Sequence, residues 1–335
     1  MRSPRPVVAL VTALLLAAGA PAAATPAVPS VEGPDVPAAS APGVTVTAFT
    51  DEPFTCTESG RTKSVSVPAG DWDRIVLVFS SRPDGDPWDR VFGVAIGGVE
   101  VLRGTTPRTA FTVRKDVTEF SRLLPAGGTA AVTLYFGTYV GTILGSVTLE
   151  LYDDEPTSAL VRQPAQPVAS VAYRSLTGHR AKLSAPVTFP DPAPASASME
   201  LTLSGHGQAG EFWYMSGLPP RFHVLVDGVE VATAVSAPYV YALAGFGNDN
   251  ANTPCAGPGT SEFGDTVHPV MWWTAHQALD VAGVHTGNGE IPPYRAEIAP
   301  SDLALLSGAR TVEVVQEGGR DGGRWITSLS FLLRN

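Results

Sequence analysis

Two carboxylates in this chain each stand beside a tryptophan in a stretch built to loop. Asp89 lies in SSRPDGDPWDR, between Trp88 and Arg90, and Glu211 lies in SGHGQAGEFWYMSGLPP, two residues before Trp213. One such carboxylate from each half, facing a shared cleft, would be placed for general acid–base work. Tryptophan rings add flat apolar walls of the kind sugars favour, because the C–H face of a pyranose buries against a ring. The competing reading makes both acids solvated loop residues beside core tryptophans.

The sequence Trp-Asp-Arg occurs twice, at 72–74 and 88–90. Trp72-Asp73-Arg74 follows Pro68-Ala69-Gly70 and opens an apolar run, IVLVF, which assigns it to the capping of a strand. Asp89 instead closes a Gly/Pro loop, and loops carried on rigid scaffolds are where function concentrates.

The elements that must position these acids are strands. Ile75–Phe79, Val132–Phe136 and Ile143–Leu151 are apolar runs of strand character. Val94–Val101 reads as a hairpin around Gly97-Gly98, and Val224–Val231 is its near copy around Asp227-Gly228. After each hairpin comes a short helical turn, at Asp116–Leu124 and again at Ser301–Gly308, followed by closing strands. The order of parts is the same in both halves, and the period far exceeds one supersecondary unit, so the chain is a divergent duplication of one all-β domain. The natural architecture is two tandem jelly-roll β-sandwiches packed side by side. The expected join is the polar, proline-punctuated stretch 153–167, giving a first domain over 44–160 and a second over 161–335. Asp89 and Glu211 then occupy equivalent loops of the two copies. If corresponding ends pack together, both acids face one cleft.

Composition sets the outer bounds. Residues 1–24 combine Arg2 and Arg5 with an apolar run from Val7 to Ala18 and small residues at 22–24, the layout of a secretory signal peptide. Residues 25–43, rich in Pro, Ala and Ser, read as a flexible arm. An exported extracellular protein is therefore expected, with no membrane anchor. The 34 glycines, 30 prolines and 16% charged residues suit a turn-rich β protein. A formal charge of −10 makes nucleic acid and anionic membranes poor partners but leaves a neutral glycan unaffected. The two cysteines, Cys56 and Cys255, could staple the two halves or stand as free thiols.

Several sharper motifs fail on context. Gly205-His206-Gly207-Gln208-Ala209-Gly210 matches G-x-G-x-x-G but has neither the helix nor the βαβ unit that a dinucleotide site needs. Gly259–Phe263 lacks the last glycine of a nucleophile elbow. His268, His276 and His285 are too widely spaced for a metal site, so no metal is expected.

Taken together, the motifs resemble a known family. Pro68-Ala69-Gly70-Asp71-Trp72, Trp88-Asp89-Arg90, the run Val94–Pro107, Lys115-Asp116-Val117-Thr118, Ser204-Gly205-His206-Gly207 and Glu211-Phe212-Trp213-Tyr214 are similar to segments of the secreted peptide-N-glycosidases, also called peptide-N4-(N-acetyl-β-glucosaminyl)asparagine amidases. The resemblance covers roughly residues 45–335. It implies a pair of jelly rolls with the active site between them, Asp89 as the central catalytic residue and Glu211 assisting. On that reading Arg90 either stabilises developing oxyanion charge or clamps Asp89, and Trp88, His206, Trp213, Trp272 and Trp273 form the substrate-binding set. The expected partners are N-glycosylated peptides or glycoproteins, met by a monomer that uses no cofactor. A glycoside hydrolase or a non-catalytic glycan binder on the same fold are the alternatives. The chain departs from the family pattern where some members carry a further acid; here it reads Tyr135-Phe136-Gly137-Thr138.

Overall fold

A computed structural model of the chain describes residues 30–32, 41–55, 60–85, 91–106, 110–137, 141–153, 165–178, 180–206, 221–235, 241–243, 270–272, 289–290, 293–318 and 324–335. Most of these residues are strand, with two short 3-10 helices. In chain order, β1 is Ser30–Glu32, β2 Val44–Phe54, β3 Gly60–Ser66, β4 Arg74–Asp84, β5 Val91–Ile96, β6 Val99–Thr105, β7 Phe111–Asp116, β8 Thr129–Phe136 and β9 Thr142–Tyr152. There follow β10 Gln166–Thr177, β11 Lys182–Phe189, β12 Ser196–His206, β13 Arg221–Val226, β14 Val229–Val235, β15 Tyr241–Leu243, β16 Val270–Trp272, β17 Gly289–Glu290, β18 Tyr294–Glu297, β19 Gly308–Glu317 and β20 Arg324–Arg334.

The sheets repeat strand for strand. One sheet of the first sandwich runs β2-β9-β4-β7 and the other β3-β8-β5-β6; the second sandwich answers with β10-β20-β12-β18 and β11-β19-β13-β14. Two jelly rolls result, as the repeated parts in the sequence require. Fine details repeat as well. Both hairpins turn through residues of positive φ, Gly97 (58°) and Gly98 (83°) in one, Asp227 (49°) and Gly228 (81°) in the other. Such turns match the right-handed twist of the paired strands. Each hairpin then carries a bulge at the same place, between Val94 and Ala95 and between Val224 and Leu225. The short helical turns are 3-10 helices, Thr118–Leu123 and Pro300–Leu305.

Period-two alternation builds the two cores. In β8 the inward set Ala130, Val132, Leu134 and Phe136 is buried while its neighbours are exposed or half-buried. Phe79 and Phe92 stack at 3.9 Å between ring centroids, joining the two sheets of the first sandwich, and Phe136 tilts against both. A second core, with Phe189, Phe222, Trp325 and Phe331, fills the other sandwich.

The second copy carries extra strands between β14 and β18. β15 and β16 pair with each other, whereas β17 crosses over and adds to β6 of the first sandwich, Gly289 opposite Thr105 and Glu290 opposite Gly104. The arm expected over 25–43 needs a correction: Ser30–Glu32 form β1, parallel to Thr112–Arg114 of β7. Edge strand β7 offers a free row of backbone donors and acceptors that such a segment can satisfy. Among the described residues no helix is long and apolar enough to cross a membrane.

Candidate functional site

Trp88, Asp89, Arg90, Glu211, Trp213 and Trp273 lie outside the described residues, as do Cys56 and Cys255. His206 closes β12 and Trp272 closes β16, each described by its backbone. The structure does describe the strands that frame both acidic loops, and it shows how those strands meet.

The loops are topological equivalents. Segment 86–90 connects β4 to β5 and segment 207–220 connects β12 to β13, each joining one sheet of its sandwich to the other. Whether they meet depends on how the sandwiches pack, and two clusters of buried polar groups fix that packing. Glu119, on the first 3-10 helix, accepts from Arg295 Nη2 at 2.6 Å and from Arg334 Nη2 at 2.5 Å, both in the second sandwich. Arg295 also pairs with Glu200, its neighbour across β12 and β18. Burial works against the Arg295 charge, but Glu200 and Glu119 outweigh it and hold its pKa above the ordinary guanidinium value.

The second cluster centres on Arg103 of β6, 1% exposed. Its Nε and Nη2 engage both carboxylate oxygens of Glu100, the Nη2–Oε2 bond being 2.6 Å. The same guanidinium crosses to the other sandwich: Nη1 donates to Ser204 Oγ at 2.9 Å and to the Ile326 carbonyl at 3.1 Å, and Nη2 donates to Ser328 Oγ at 3.0 Å. Ser328 also donates to Glu100. A fork of five N–H donors can satisfy this many acceptors at once.

These contacts set direction. Along β12 the residues met are Ser198 and Glu200, beside the Glu119 cluster, and then Ser204, beside Arg103; His206 lies two residues beyond. Along the first sandwich the order is the 3-10 helix, then Glu100 and Arg103, then Thr105. Thr105 pairs with Val91, the first residue of β5. The end of β12, which precedes one acidic segment, and the start of β5, which follows the other, therefore lie at the same end of the domain interface.

The face that β5 presents to the second sandwich is laid out in rows. Gly93 is paired with Arg103 on one side and Tyr135 on the other. The next row holds Val91, flanked by Thr105 and by Gly137, whose N–H donates to the Val91 carbonyl at 2.8 Å. The alternate residues Phe92, Val94 and Ile96 point into the first core. A Cβ on Gly93 would come 3.0 Å from Glu100 Oε1, so a side chain there would press on the carboxylate that Arg103 holds.

The other Trp-Asp-Arg copy is structural. Trp72 packs on the first core and donates from its indole to the Pro68 carbonyl at 3.3 Å, Asp73 N–H donates to the Tyr152 carbonyl at 2.8 Å, and the buried Arg74 guanidinium lies 4.6 Å from the Tyr152 ring centroid. The interface residues Glu100, Arg103, Glu119, Tyr173, Arg295 and Arg334 were not singled out from sequence. One signal was present for two of them: Glu100 and Arg103 are charged positions in an otherwise apolar hairpin strand. Among the described residues no cluster of His, Cys, Asp and Glu has the makeup of a metal site.

A family model for peptide N-acetyl-beta-D-glucosaminyl asparaginase amidase A matches residues 48–242. The chain is 26% identical over 271 residues to the peptide-N4-(N-acetyl-beta-glucosaminyl)asparagine amidase A of Prunus dulcis, in an alignment covering 72% of this chain and 44% of that protein. It thus spans less than half the length of this curated relative. Among solved structures, PNGF-II superposes with a TM-score of 0.58 at 15% identity, covering 87% of this chain and 66% of that one. PNGase F, described as a glycosylasparaginase from Flavobacterium meningosepticum, gives a TM-score of 0.54 at 14% identity, covering 87% and 96%. At such identities these two structures support the fold. The family match extends over more than half of the chain and takes in both acidic loops, so the protein belongs to the peptide N-acetyl-beta-D-glucosaminyl asparaginase amidase A family.

Proposed function

We propose that the protein is an extracellular glycoamidase that hydrolyses the amide bond between an asparagine side chain and the innermost N-acetylglucosamine of an N-glycan. Asp89 takes a proton from a water molecule, which attacks the side-chain carbonyl carbon. Arg90 offsets the negative charge that develops on the carbonyl oxygen. The C–N bond then breaks, the nitrogen leaves protonated as a glycosylamine, and the peptide keeps an aspartate. Glu211 holds the core sugar or shares the proton, and Trp88, Trp213, Trp272, Trp273 and His206 form the walls against which the sugars lie. The signal-like residues 1–24 support export, and the enzyme acts as a monomer on glycopeptides or glycoproteins.

One observation carries this reading: β12 ends and β5 begins at the same end of the domain interface. Asp89 is two residues from Val91 in the chain, so covalent geometry tethers its backbone within about 7 Å of that strand end. Glu211 is five residues past His206, a reach of at most about 18 Å. Those tethers let one carboxylate from each sandwich face a common substrate.

The test is a defined N-glycopeptide incubated with the mature protein in heavy-oxygen water, with both products weighed. The reading expects one heavy oxygen in a new aspartate and a released glycosylamine. Asp89→Asn should lower the rate by about two orders of magnitude, while Asp73→Asn should retain most of it. N-acetylglucosamine left on asparagine would instead make the protein a glycoside hydrolase, and retention of the glycan without product would make it a binding protein.

A further inference from the structure

Tyr173 is unusual in this chain. It sits in β10 at a register shift between Val171 and Arg174, with φ of 49°, a conformation that a bulky residue avoids. Contacts with both sandwiches hold it there. Its N–H donates to Ser328 Oγ at 2.7 Å, and its ring stacks on Tyr135 of the first sandwich at 4.6 Å between centroids with 7° between the planes. The Arg103 guanidinium lies 4.9 Å from the same ring.

Tyr135 and Arg103 are the two residues that flank Gly93 on β5. One aromatic ring of the second sandwich therefore contacts both strands that hold β5. The far end of the ring reaches the next row, since a Cβ placed on Gly137 would come 3.5 Å from the Tyr173 hydroxyl and 2.6 Å from Val91 Cγ1. Backbone strain of this kind clusters at functional sites, where surrounding contacts over-determine it.

We infer that Tyr173 is a positioning residue for the glycoamidase reaction: its ring, pressed on Tyr135 and Arg103, fixes the first residue of β5 and with it the chain that leads to Asp89. The inference rests on the amidase reading for its catalytic consequence, but not for its structural one. The ring does the positioning, through its stack, and Val91 Cγ1 occupies the space a Gly137 side chain would need, with the Tyr173 hydroxyl in contact beside it. Small displacements of a reacting group cost large factors in rate, so loss of the ring acts on kcat and leaves sugar binding alone.

The experiment compares Tyr173→Gly, which suits the positive φ, with Tyr173→Phe, which keeps the ring, by hydrogen–deuterium exchange and by glycopeptide kinetics. In Tyr173→Gly the Gly137 amide, bonded to Val91, should exchange about tenfold faster, while amides of β13 and β19 are unchanged. The same variant should lose about tenfold in kcat with KM held, and Tyr173→Phe should stay within about twofold of the parent. Should Tyr173→Gly fail to fold, Tyr135→Leu removes the other half of the stack and carries the same expectations. Unchanged exchange at Gly137 overturns the inference whatever the activity, and so does a Phe variant as impaired as the Gly variant. Faster exchange with full activity overturns the catalytic half. An inactive parent protein refutes the amidase reading instead, and the exchange data then decide the grip of Tyr173 on β5 alone.

Discussion

Replacing Arg103 by methionine asks how much of the molecule rests on one buried guanidinium. The side chains of Arg103 and Glu100 are 0% and 2% exposed, so neither has water to fall back on. Methionine fills most of the volume but removes the donors to Glu100, Ser204, Ile326 and Ser328. The dominant loss is the carboxylate left buried without its cation, and breaking such a pair from one side costs about 3–5 kcal/mol. For a protein of this size each kcal/mol shifts Tm by about 2–4 °C, so a fall of about 10 °C is expected. Glu100→Gln combined with Arg103→Met removes the stranded charge and leaves only weakened hydrogen bonds, each contributing about 1 kcal/mol. The double variant should therefore melt above the sum of the single losses, with a coupling of about 2 kcal/mol. Differential scanning calorimetry of the four proteins measures both quantities. Strictly additive losses, or a single Arg103→Met loss below about 2 °C, would refute the claim that this pair locks the two sandwiches together.

Acid should weaken the first sandwich through Glu150. Burial works to raise its pKa, but hydrogen bonds from Arg114, at 2.5 and 3.0 Å, and from Tyr152 outweigh it and hold the carboxyl below the usual range. A depressed carboxylate stabilises the fold above its unfolded pKa of about 4.3 and loses that contribution as pH falls through the lower folded value. Thermal melts taken from neutral pH downward should steepen below that point in the parent and less so in Glu150→Gln, and parallel curves would count against the assignment. Gly145→Ala should overpack the first core, since its Cβ would lie 2.7 Å from Phe136 Cε2 and 2.8 Å from Leu134 Cδ2. A loss of about 1–3 kcal/mol in urea unfolding is expected, and a neutral result would mean that the Phe136 ring yields freely.

The strands and the repeat were readable because burial on one face writes period two into a sequence and because both hairpin turns demand residues of positive φ. Val94–Val101 and Val224–Val231 show both signals, and both fold as expected. Equivalent loops for Asp89 and Glu211 followed from the repeat alone. The docking of the sandwiches did not follow, because the residues that set it leave little local trace. Arg103 reaches Ser204 and Ile326 over sequence separations of 101 and 223, and no local pattern marks Tyr173 or Glu119 as interface groups. The strand at Ser30–Glu32 was likewise invisible: its partner β7 lies some eighty residues on, and a Pro- and Ala-rich stretch carries no alternation to announce it.

The docking also explains why the two copies have diverged where they have. The first sandwich meets its neighbour with the sheet that contains β5, whereas the second uses the sheet that contains β12, the counterpart of β4. Equivalent positions therefore face different surroundings. The row Arg103, Gly93 and Tyr135 corresponds, by hairpin and register, to Thr233, His223 and Val315. In the first copy that row is covered by Ser204, Ser328 and Tyr173, and the residues are a buried cation, a bare backbone and a stacking ring. In the second copy His223 sits at the surface between Glu230 at 2.9 Å and Glu317 at 3.2 Å. Glu230 matches Glu100 in the hairpin, yet one carboxylate is locked to a buried arginine and the other shares a half-exposed histidine with solvent. A symmetric dimer of sandwiches could not have made this distinction, because each face would have had to serve both roles. Fusion in one chain freed the two faces to specialise. β17 completes the asymmetry, since the second copy lends a strand to the edge of β6 and ties itself to Gly104 and Thr105, beside the row from which the Asp89 segment departs.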